Sequence, residues 1–473
     1  MKFMSDTNPP TTETPTRMDR PSASPGPDRC LAIFGWALIV LFATHAAWQG
    51  RIGADVGAFQ LAYVLGFAGY LALIRVVRRG ASSRKIGSWR WWFVGCVAVR
   101  LILLGTTPSD DIYRYVWEGR AQLAGANPYV TAPNDPQLAP LRDDDWTTIN
   151  HPDYPAIYGP VAEMQFRALA AIDPAPALFK WAHVLADVFV ILVLSATLRR
   201  LGRPPHTAII YGLCPLVLTA FAIEGHIDSV MLLFVACATW AQVARRPLFS
   251  AAMLGLAVAT KLIAIVWIPW FLLRSPAKSV SGSHPDSPDP PTTTNTDWGS
   301  TIVFTVVLSL CYLPYLSAGT KLLSSFLRFS ATGEFFSLPG TLHLTAYDTI
   351  MARGTVALLL VILVGVQARR SPTFPAFGLI ATGVLLMLMP VVHYWYLAWV
   401  LVWAPLCLRW RWIVASLGMV LYFEAHRVQE TTGAWAMPAY VPVAFWSAFL
   451  LTWVGEAVIL SGKRRPLTAK SSP

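Results

Sequence analysis

The sequence predicts an all-α polytopic membrane protein, and three observations support this prediction. Of its 473 residues, 55% are hydrophobic and only 13% are charged, which is roughly half the charged fraction of a soluble domain. Apolar runs long enough to cross a bilayer recur from Leu31 to Leu460. The 20 Trp and 15 Tyr residues fit the aromatic belts that form at membrane–water interfaces.

The distribution of charge indicates what the protein contacts. The net charge is +11, but the Lys and Arg residues cluster in short loops between apolar runs, which is the positive-inside pattern of membrane proteins. We therefore expect membrane lipid as a partner and no nucleic acid. All six cysteines lie in or beside apolar runs without metal-binding spacing, so neither a disulfide framework nor a zinc site is indicated.

The basic loops orient the first part of the chain. Residues 1–28 are rich in Pro, Ser and Thr and predict a disordered cytoplasmic tail rather than a secretion signal. Spans are expected at about 31–47 and 58–77, and the basic segment 75–90 after them is assigned to the cytoplasm. The third span, about 91–106, then exits, so the polar loop 106–177 is extracytoplasmic. Short amphipathic helices are expected in this loop at 112–124 and 160–171.

The rest of the chain alternates apolar runs with basic loops. The run Leu248 to Leu273 has basic residues at both ends and Lys261 near its centre; a re-entrant hairpin is preferred there over a single span. The architecture is then about twelve full spans plus one hairpin, with both termini cytoplasmic. The later spans are expected at 178–198, 207–223, 229–243, 301–316, 352–367, 374–392, 395–408, 411–425 and 440–460.

These spans divide the chain into two membrane modules. Residues 29–274 are predicted to form an N-terminal catalytic module, and residues 300–462 a C-terminal transmembrane bundle. A segment rich in Ser, Pro and Thr, 275–299, predicts a flexible cytoplasmic linker between them, and residues 463–473 a cytoplasmic tail.

Adjacent carboxylates, Asp110 and Asp111, follow the third span directly. Acids at a membrane boundary are costly and are more often functional than structural. Partial loss of water raises the pKa of a carboxylate and strengthens it as a general base. Capping of the following helix by Ser109 or Asp110 explains the same position without catalysis. Arg114, Glu118 and Arg120 continue along that helix, where an Arg–Glu pair is also compatible with a plain surface helix.

Further ionisable and aromatic residues are predicted to share the outer face with this pair. They are His151 and Tyr158 in a proline-rich turn, Glu224, His226 and Asp228 at a span boundary, and His393 and Tyr396 at a later helix end. Lys261 lies within an apolar run, where its ammonium requires an anion. A lipid phosphate and a carboxylate are the alternatives for that anion. The spacing of these residues is not specific for metal, and we expect no cofactor, although Asp and His ligands leave a divalent metal open.

Three segments resemble a known family. They are Ser109-Asp-Asp-Ile-Tyr-Arg-Tyr-Val-Trp-Glu-Gly-Arg120, Gly125-Ala-Asn-Pro-Tyr129 and the stretch from Asn150-His-Pro to Ile-Tyr-Gly-Pro160. They are similar to the bacterial polyprenol-phosphate-mannose-dependent mannosyltransferases of the GT-C superfamily of integral membrane glycosyltransferases. Two spans precede the acidic motif here, where many superfamily members have one.

The resemblance implies a GT-C-like fold and a site on the outer face of the bacterial inner membrane. It implies an inverting transfer of a sugar, most simply mannose, from a polyprenyl-phosphate donor to a lipid or glycan acceptor. Asp110 or Asp111 would be the general base, and Lys261 with Arg114 or His393 would neutralise the departing phosphate. A secondary transporter or lipid flippase is the main alternative, and a non-catalytic scaffold of the cell envelope is a third. The clustering of acids at one face, rather than at the bilayer midplane, favours the enzyme.

Overall fold

The structure, a computed structural model, describes residues 27–80, 88–273, 298–330, 335–341 and 350–462. Within these ranges the chain is helical, and the described residues form no strand beyond a single bridge between Phe335 and Val391. The predicted all-α class is confirmed. Residues 1–26 of the predicted N-terminal tail 1–28, residues 275–297 of the predicted linker 275–299 and the C-terminal tail 463–473 lie outside the described residues.

The described residues of the N-terminal part form eleven α-helices. They are α1 (Pro27–Gln49), α2 (Val56–Gly80), α3 (Trp89–Leu103), α4 (Asp110–Leu123), α5 (Pro160–Ile172), α6 (Pro176–Arg200), α7 (Ile209–Gly212), α8 (Pro215–Val217), α9 (Asp228–Val243), α10 (Pro247–Thr260) and α11 (Pro269–Leu273). Short 3₁₀ turns interrupt the long loop between α4 and α5, at Pro136–Leu141 and Asp144–Thr148.

Nine further helices are present in the part of the C-terminal half that the structure describes. They are α12 (Trp298–Tyr312), α13 (Ser324–Ser330), α14 (Leu338–Thr341), α15 (Ile350–Arg370), α16 (Phe374–Leu388), α17 (Ala398–Leu401), α18 (Trp410–Gly418), α19 (Glu424–Thr432) and α20 (Tyr440–Gly462). A 3₁₀ segment, Leu313–Leu323, continues α12 and packs on the loop between α4 and α5. One large apolar core joins the two parts.

Five helical stretches in the described residues are long and apolar enough to cross a membrane, which makes this a membrane protein. They are Pro27–Gln49, Val56–Arg79, Pro176–Arg200, Trp298–Arg328 and Tyr440–Ile459. A bent pair of segments adds a sixth if it is counted as one span. Several shorter apolar helices, among them α9, α10 and α16, fall below that length. The count of twelve spans therefore stays a prediction.

Several of the predicted apolar runs are broken in the structure. The run 395–408 consists of a 3₁₀ turn, Tyr394–Leu397, and the four-residue helix α17 rather than one continuous helix. The run 207–223 bends by 61° between Pro205–Gly212 and Pro215–Ile223, because a proline begins the second segment and interrupts the helical hydrogen bonds. The run around Lys261 breaks at that residue, which has extended backbone between α10 and the 3₁₀ turn Leu262–Trp267. The break agrees with the lysine lying at a turn, while the hairpin topology stays a prediction.

Both short helices predicted for the polar loop are present as α4 and α5. They begin and end within about two residues of the expected positions. The helices pack closely because a Cβ added at Gly119 in α4 would lie 2.3 Å from the carbonyl oxygen of Phe166 in α5. This contact fixes α4, and with it the acidic motif at its first turn.

A buried ion pair crosses the spans beneath the acidic motif. The guanidinium of Arg100 in α3 contacts Asp187 in α6 at 2.7 Å, and both side chains are fully buried. Tyr211 donates a hydrogen bond to the same carboxylate at 2.8 Å, and Arg100 donates to the carbonyl of Gly212 at 2.7 Å. The three helices α3, α6 and α7 are thus joined by one buried polar network.

Candidate active site

Asp111 is the centre of the site because three chain segments converge on its carboxylate. Asn150 donates a hydrogen bond to one oxygen at 2.6 Å, and Tyr115 donates to the other at 3.3 Å. His226 contacts that second oxygen through Nδ1 at 3.1 Å. Burial alone would raise the pKa of Asp111, but the hydrogen bonds and charge of His226, with Asn150, hold that pKa well below its usual range. Asp111 is therefore a fixed negative charge.

His226 lies between two carboxylates. Its Nε2 is 3.0 Å from Oε2 of Glu224, while Nδ1 faces Asp111. A neutral imidazole has only one N–H, so two carboxylate partners require the doubly protonated ring. Burial alone would lower the pKa of His226, but its bonds to the two acids raise it to about 9. The same contacts, with the hydroxyl of Tyr394 at 2.5 Å, hold the pKa of Glu224 below its usual range against the effect of burial.

Asp110 differs from its neighbour in its surroundings. Its carboxylate forms no ion pair with any of the described residues, and its side chain reaches the open surface beside the site. Partial loss of water around the carboxyl group, with the negative charges of Asp111 and Glu224, raises the pKa of Asp110 to about 7. Two adjacent acids thus have opposite properties: one is held ionised and the other is ready to take a proton.

Lys261 lies beside this cluster and has a carboxylate partner. Its Nζ is 2.8 and 3.0 Å from the two oxygens of Asp228, to which Trp399 also donates at 2.6 Å. The ammonium also lies over the rings of Tyr396 and Trp399, at 4.8 and 5.1 Å from their centroids. Of the two anions considered for Lys261, the structure contains the carboxylate. The lysine side chain is 18% exposed, whereas the side chain of Asp228 is 1% exposed. Lys261 is therefore the member of the pair that a ligand can reach.

Neighbouring aromatic rings connect His226 with the rings that lie beside Lys261. The ring of Trp395 is stacked on His226 at 3.9 Å and on His393 at 4.4 Å. His393 accepts or donates a hydrogen bond at 2.7 Å with the hydroxyl of Tyr422. Burial lowers the pKa of His393 to about 3, so the ring is neutral at ordinary pH. Tyr396 is buried against Trp399 at 4.1 Å.

The proline-rich turn closes the site from the polar loop. His151 is exposed at the tip and has a left-handed backbone, φ 44°, while Tyr158 is buried below it with its hydroxyl 3.5 Å from that of Tyr115. Gly159 donates to the carbonyl of Thr260 at 3.0 Å, and a Cβ added there would lie 2.2 Å from the carbonyl oxygen of Ala259. Only glycine allows this approach, which places the turn directly on the residues before Lys261.

The three remaining predicted residues on α4 support the loop rather than face the acids. Arg114 pairs with Glu118 at 2.7 Å and donates to the carbonyls of His151 and Tyr154 at 2.9 and 2.6 Å. These contacts hold the proline-rich turn. Arg120 is near the far end of α4, where it pairs with Asp143 and donates to Leu141. The described His, Cys, Asp and Glu residues include no group of three placed to hold a metal ion.

Some residues of the site were not predicted. Asn150, Tyr394 and Trp395 contact the predicted acids and histidine directly. Their types are common in polar loops and interface belts, so the sequence carries no signal for them beyond their neighbours. Three ionisable residues of α6, Lys180, His183 and Asp187, were also missed, although Asp187 lies outside the site and pairs with Arg100. Their spacing of three and four residues within an apolar run is a signal, because it places three ionisable groups on one face of a span.

Comparison with known proteins identifies a family for this chain. The family model described as alpha-(1->6)-mannopyranosyltransferase, N-terminal domain, matches residues 29–275, which is more than half of the chain. The matched range contains both aspartates, the Glu224–Asp228 segment and Lys261. No curated protein and no solved structure gives a significant match. The resemblance found in the acidic motif is thereby confirmed at the level of the family.

Proposed function

This chain belongs to the alpha-(1->6)-mannopyranosyltransferase family, and on that premise we propose that it transfers mannose from a polyprenyl-phosphate carrier to a lipid or glycan acceptor. The acceptor group is the 6-hydroxyl of a mannoside. The site faces the extracytoplasmic side of the bacterial inner membrane, with both termini in the cytoplasm. The family match supports the mannosyltransferase activity. The proposed orientation rests on the loops rich in Lys and Arg, which the positive-inside rule assigns to the cytoplasmic side.

The contrast between the two aspartates carries the proposed mechanism. Asp111 is held ionised by His226 and Asn150, whereas Asp110 has a raised pKa and lies open to the surface. Asp110 is therefore the general base. The acceptor oxygen attacks C1 of mannose on the face opposite the phosphate. The bond from C1 to the phosphate oxygen breaks with its electron pair, and the acceptor proton goes to Asp110.

The stereochemistry follows from this displacement. A single displacement inverts the configuration at C1, so an α-linked product requires a β-linked mannosyl phosphate as donor. The departing polyprenyl phosphate gains negative charge, and a cation near it stabilises the transition state. We assign this role to Lys261, whose ammonium is the exposed member of its pair with Asp228. Arg114 is less suited because Glu118 and the loop carbonyls engage its guanidinium.

Transfer by the purified protein tests this function. The protein in liposomes would receive radiolabelled polyprenyl-phosphate mannose or radiolabelled nucleotide-linked mannose, each with a mannoside acceptor. Transfer from the lipid-linked donor alone, with loss in Asp110→Asn, is expected. Asp173→Asn is the matched control because Asp173 is exposed at the end of α5, away from the cluster. Transfer from the nucleotide donor alone would refute the proposed donor, and no transfer from either would refute the activity.

A further inference from the structure

Two loops lie directly beside the acidic residues of the site. Side chains on one face of the membrane-spanning helix α6 hold both loops in place. The first loop, residues 104–109, joins α3 to α4, and the second, residues 224–227, leads into α9. Ser109 donates its backbone N–H to the carbonyl of Glu224 at 3.1 Å, and the hydroxyl of Thr106 donates to Ile223 at 3.1 Å. These two bonds tie the loops to each other where Asp111 meets His226.

Lys180 fastens the first loop to α6. Its ammonium is buried, 2% exposed, and donates to the carbonyl of Thr106 at 2.5 Å, to its hydroxyl at 2.7 Å and to the carbonyl of Leu103 at 3.3 Å. It forms no ion pair with a carboxylate of the described residues. A buried ammonium in a span is costly, so its position is explained by these three oxygens, which belong to the segment before Asp110.

His183 fastens the second loop one turn further along the same helix. Its Nδ1 lies 2.7 Å from the carbonyl oxygen of Gly225, between Glu224 and His226, and its ring is fully buried. A carbonyl is only an acceptor, so Nδ1 carries the proton and donates. Residues three apart on a helix share a face. The two side chains thus hold the two loops from one rigid element.

We propose that Lys180 and His183 are positioning residues that set the geometry between the Asp110–Asp111 pair and the Glu224–His226 pair. The inference rests on the proposed transferase function. Neither side chain contacts the substrate; each fixes one loop, and α6 fixes their separation. Asp187 lies on the same face of α6 but has a structural role. It pairs with Arg100 and accepts a hydrogen bond from Tyr211 deeper in the bundle.

Kinetics of the full-length protein test the proposal. Misplacement of catalytic groups by about 1 Å costs about 100-fold in rate, so Lys180→Met and His183→Leu should lower kcat by about this factor with little change in the donor KM. His183→Asn should recover most of the lost kcat, because its side-chain amide can donate to Gly225. Lys321→Met, the same substitution at an exposed lysine, should have no effect.

Asp187→Asn separates positioning from general stability. It should lower the melting temperature and leave the kcat of the folded protein nearly unchanged. A loss of kcat equal to that in the Lys180 and His183 variants would overturn the proposal, as would normal kcat in both of those variants. Hydrogen exchange of the amides over 104–116 gives a readout that needs no activity: exchange should accelerate in Lys180→Met and not in Asp187→Asn. An inactive wild type with this exchange pattern would refute the transferase function alone.

Discussion

The imidazole of His226 lies 3.1 Å from the carboxylate of Asp111, although 115 residues separate them in the chain. The other ring nitrogen contacts Glu224, so the ring is a cation shared by two acids. This contact makes the two adjacent aspartates unequal. It keeps Asp111 ionised and leaves Asp110 as the acid that takes up a proton near neutral pH. The predictions below follow from that inequality and from the contacts around it.

Removing either carboxylate should lower activity to a different extent. General-base catalysis contributes about 100- to 10,000-fold, so Asp110→Asn should lower kcat by about 1,000-fold. Asp111→Asn loses an oriented charge but not the base, and a loss of about 10- to 100-fold is expected. Initial rates of mannose transfer measure both. A larger loss in Asp111→Asn than in Asp110→Asn would reverse the assignment of the base.

Activity should fall as the pH decreases through about 7. The base must be deprotonated to accept the hydroxyl proton, and the raised pKa of Asp110 places its protonation there. The charge of His226 lowers the pKa of both aspartates, so His226→Gln should move the acidic limb of kcat/KM to higher pH. His206→Gln is the control, because His206 lies in the turn Pro205–Ala208 beyond the C-terminal end of α6, the opposite end from Lys180 and His183. An acidic limb that stays in place or moves to lower pH would contradict the role of His226.

The ion pair between Lys261 and Asp228 should contribute to stability, and Lys261 alone should contribute to donor binding. Lys261→Met leaves the buried carboxylate of Asp228 unpaired, which costs about 3 kcal/mol in free energy of unfolding. It should also raise the donor KM by about 10- to 100-fold through loss of a charged contact. Adding Asp228→Asn should recover the stability and not the donor KM. If the double variant also recovers the donor KM, Lys261 does not bind the phosphate.

The contact at Gly159 should tolerate no side chain. Gly159→Ala places a methyl group against the backbone carbonyl of Ala259, and the resulting strain should cost about 2 kcal/mol in free energy of unfolding. Thermal unfolding measures this. Gly354→Ala in α15, where an added Cβ meets no atom within 4 Å, should leave the stability equal or slightly higher. Equal stability in the two variants would show that the turn is not seated on Ala259.

Labelling of introduced cysteines tests the orientation. In a variant without the six natural cysteines, Asp173→Cys should react with a membrane-impermeant maleimide added to intact cells. Arg245→Cys, at the opposite end of α9 from Asp228, should react only after the membrane is opened. The reverse pattern would place the candidate active site in the cytoplasm and exclude the proposed orientation.

The residues that local patterns can place were predicted well. The acids at the start of α4 follow an apolar run, and the amphipathic period of α4 and α5 marks their limits. Arg120 shows where such patterns fail. Its motif predicts that it belongs to the site, but ten residues at a rise of about 1.5 Å place it roughly 15 Å along α4 from Asp110, where it pairs with Asp143.

Contacts between distant segments could not be predicted, because tertiary packing decides them. Nothing in the sequence near Asn150 indicates that its amide reaches Asp111, and nothing near Tyr394 indicates its bond to Glu224. The polar face of α6 did carry a local signal. The high mean hydropathy of the run predicts an ordinary membrane span, and three ionisable residues do not change that average enough to stand out.

The buried pair between Arg100 and Asp187 has a consequence for biosynthesis. Arg100 lies in α3, and its partner is 87 residues further along the chain. At 5–20 residues per second, translation supplies that carboxylate roughly 4 to 17 s after the arginine. Until then the guanidinium of Arg100 lacks the carboxylate with which it pairs in the folded protein, and an unpaired buried charge is costly. The packing of α3 in the fold is therefore completed only after α6 has been made.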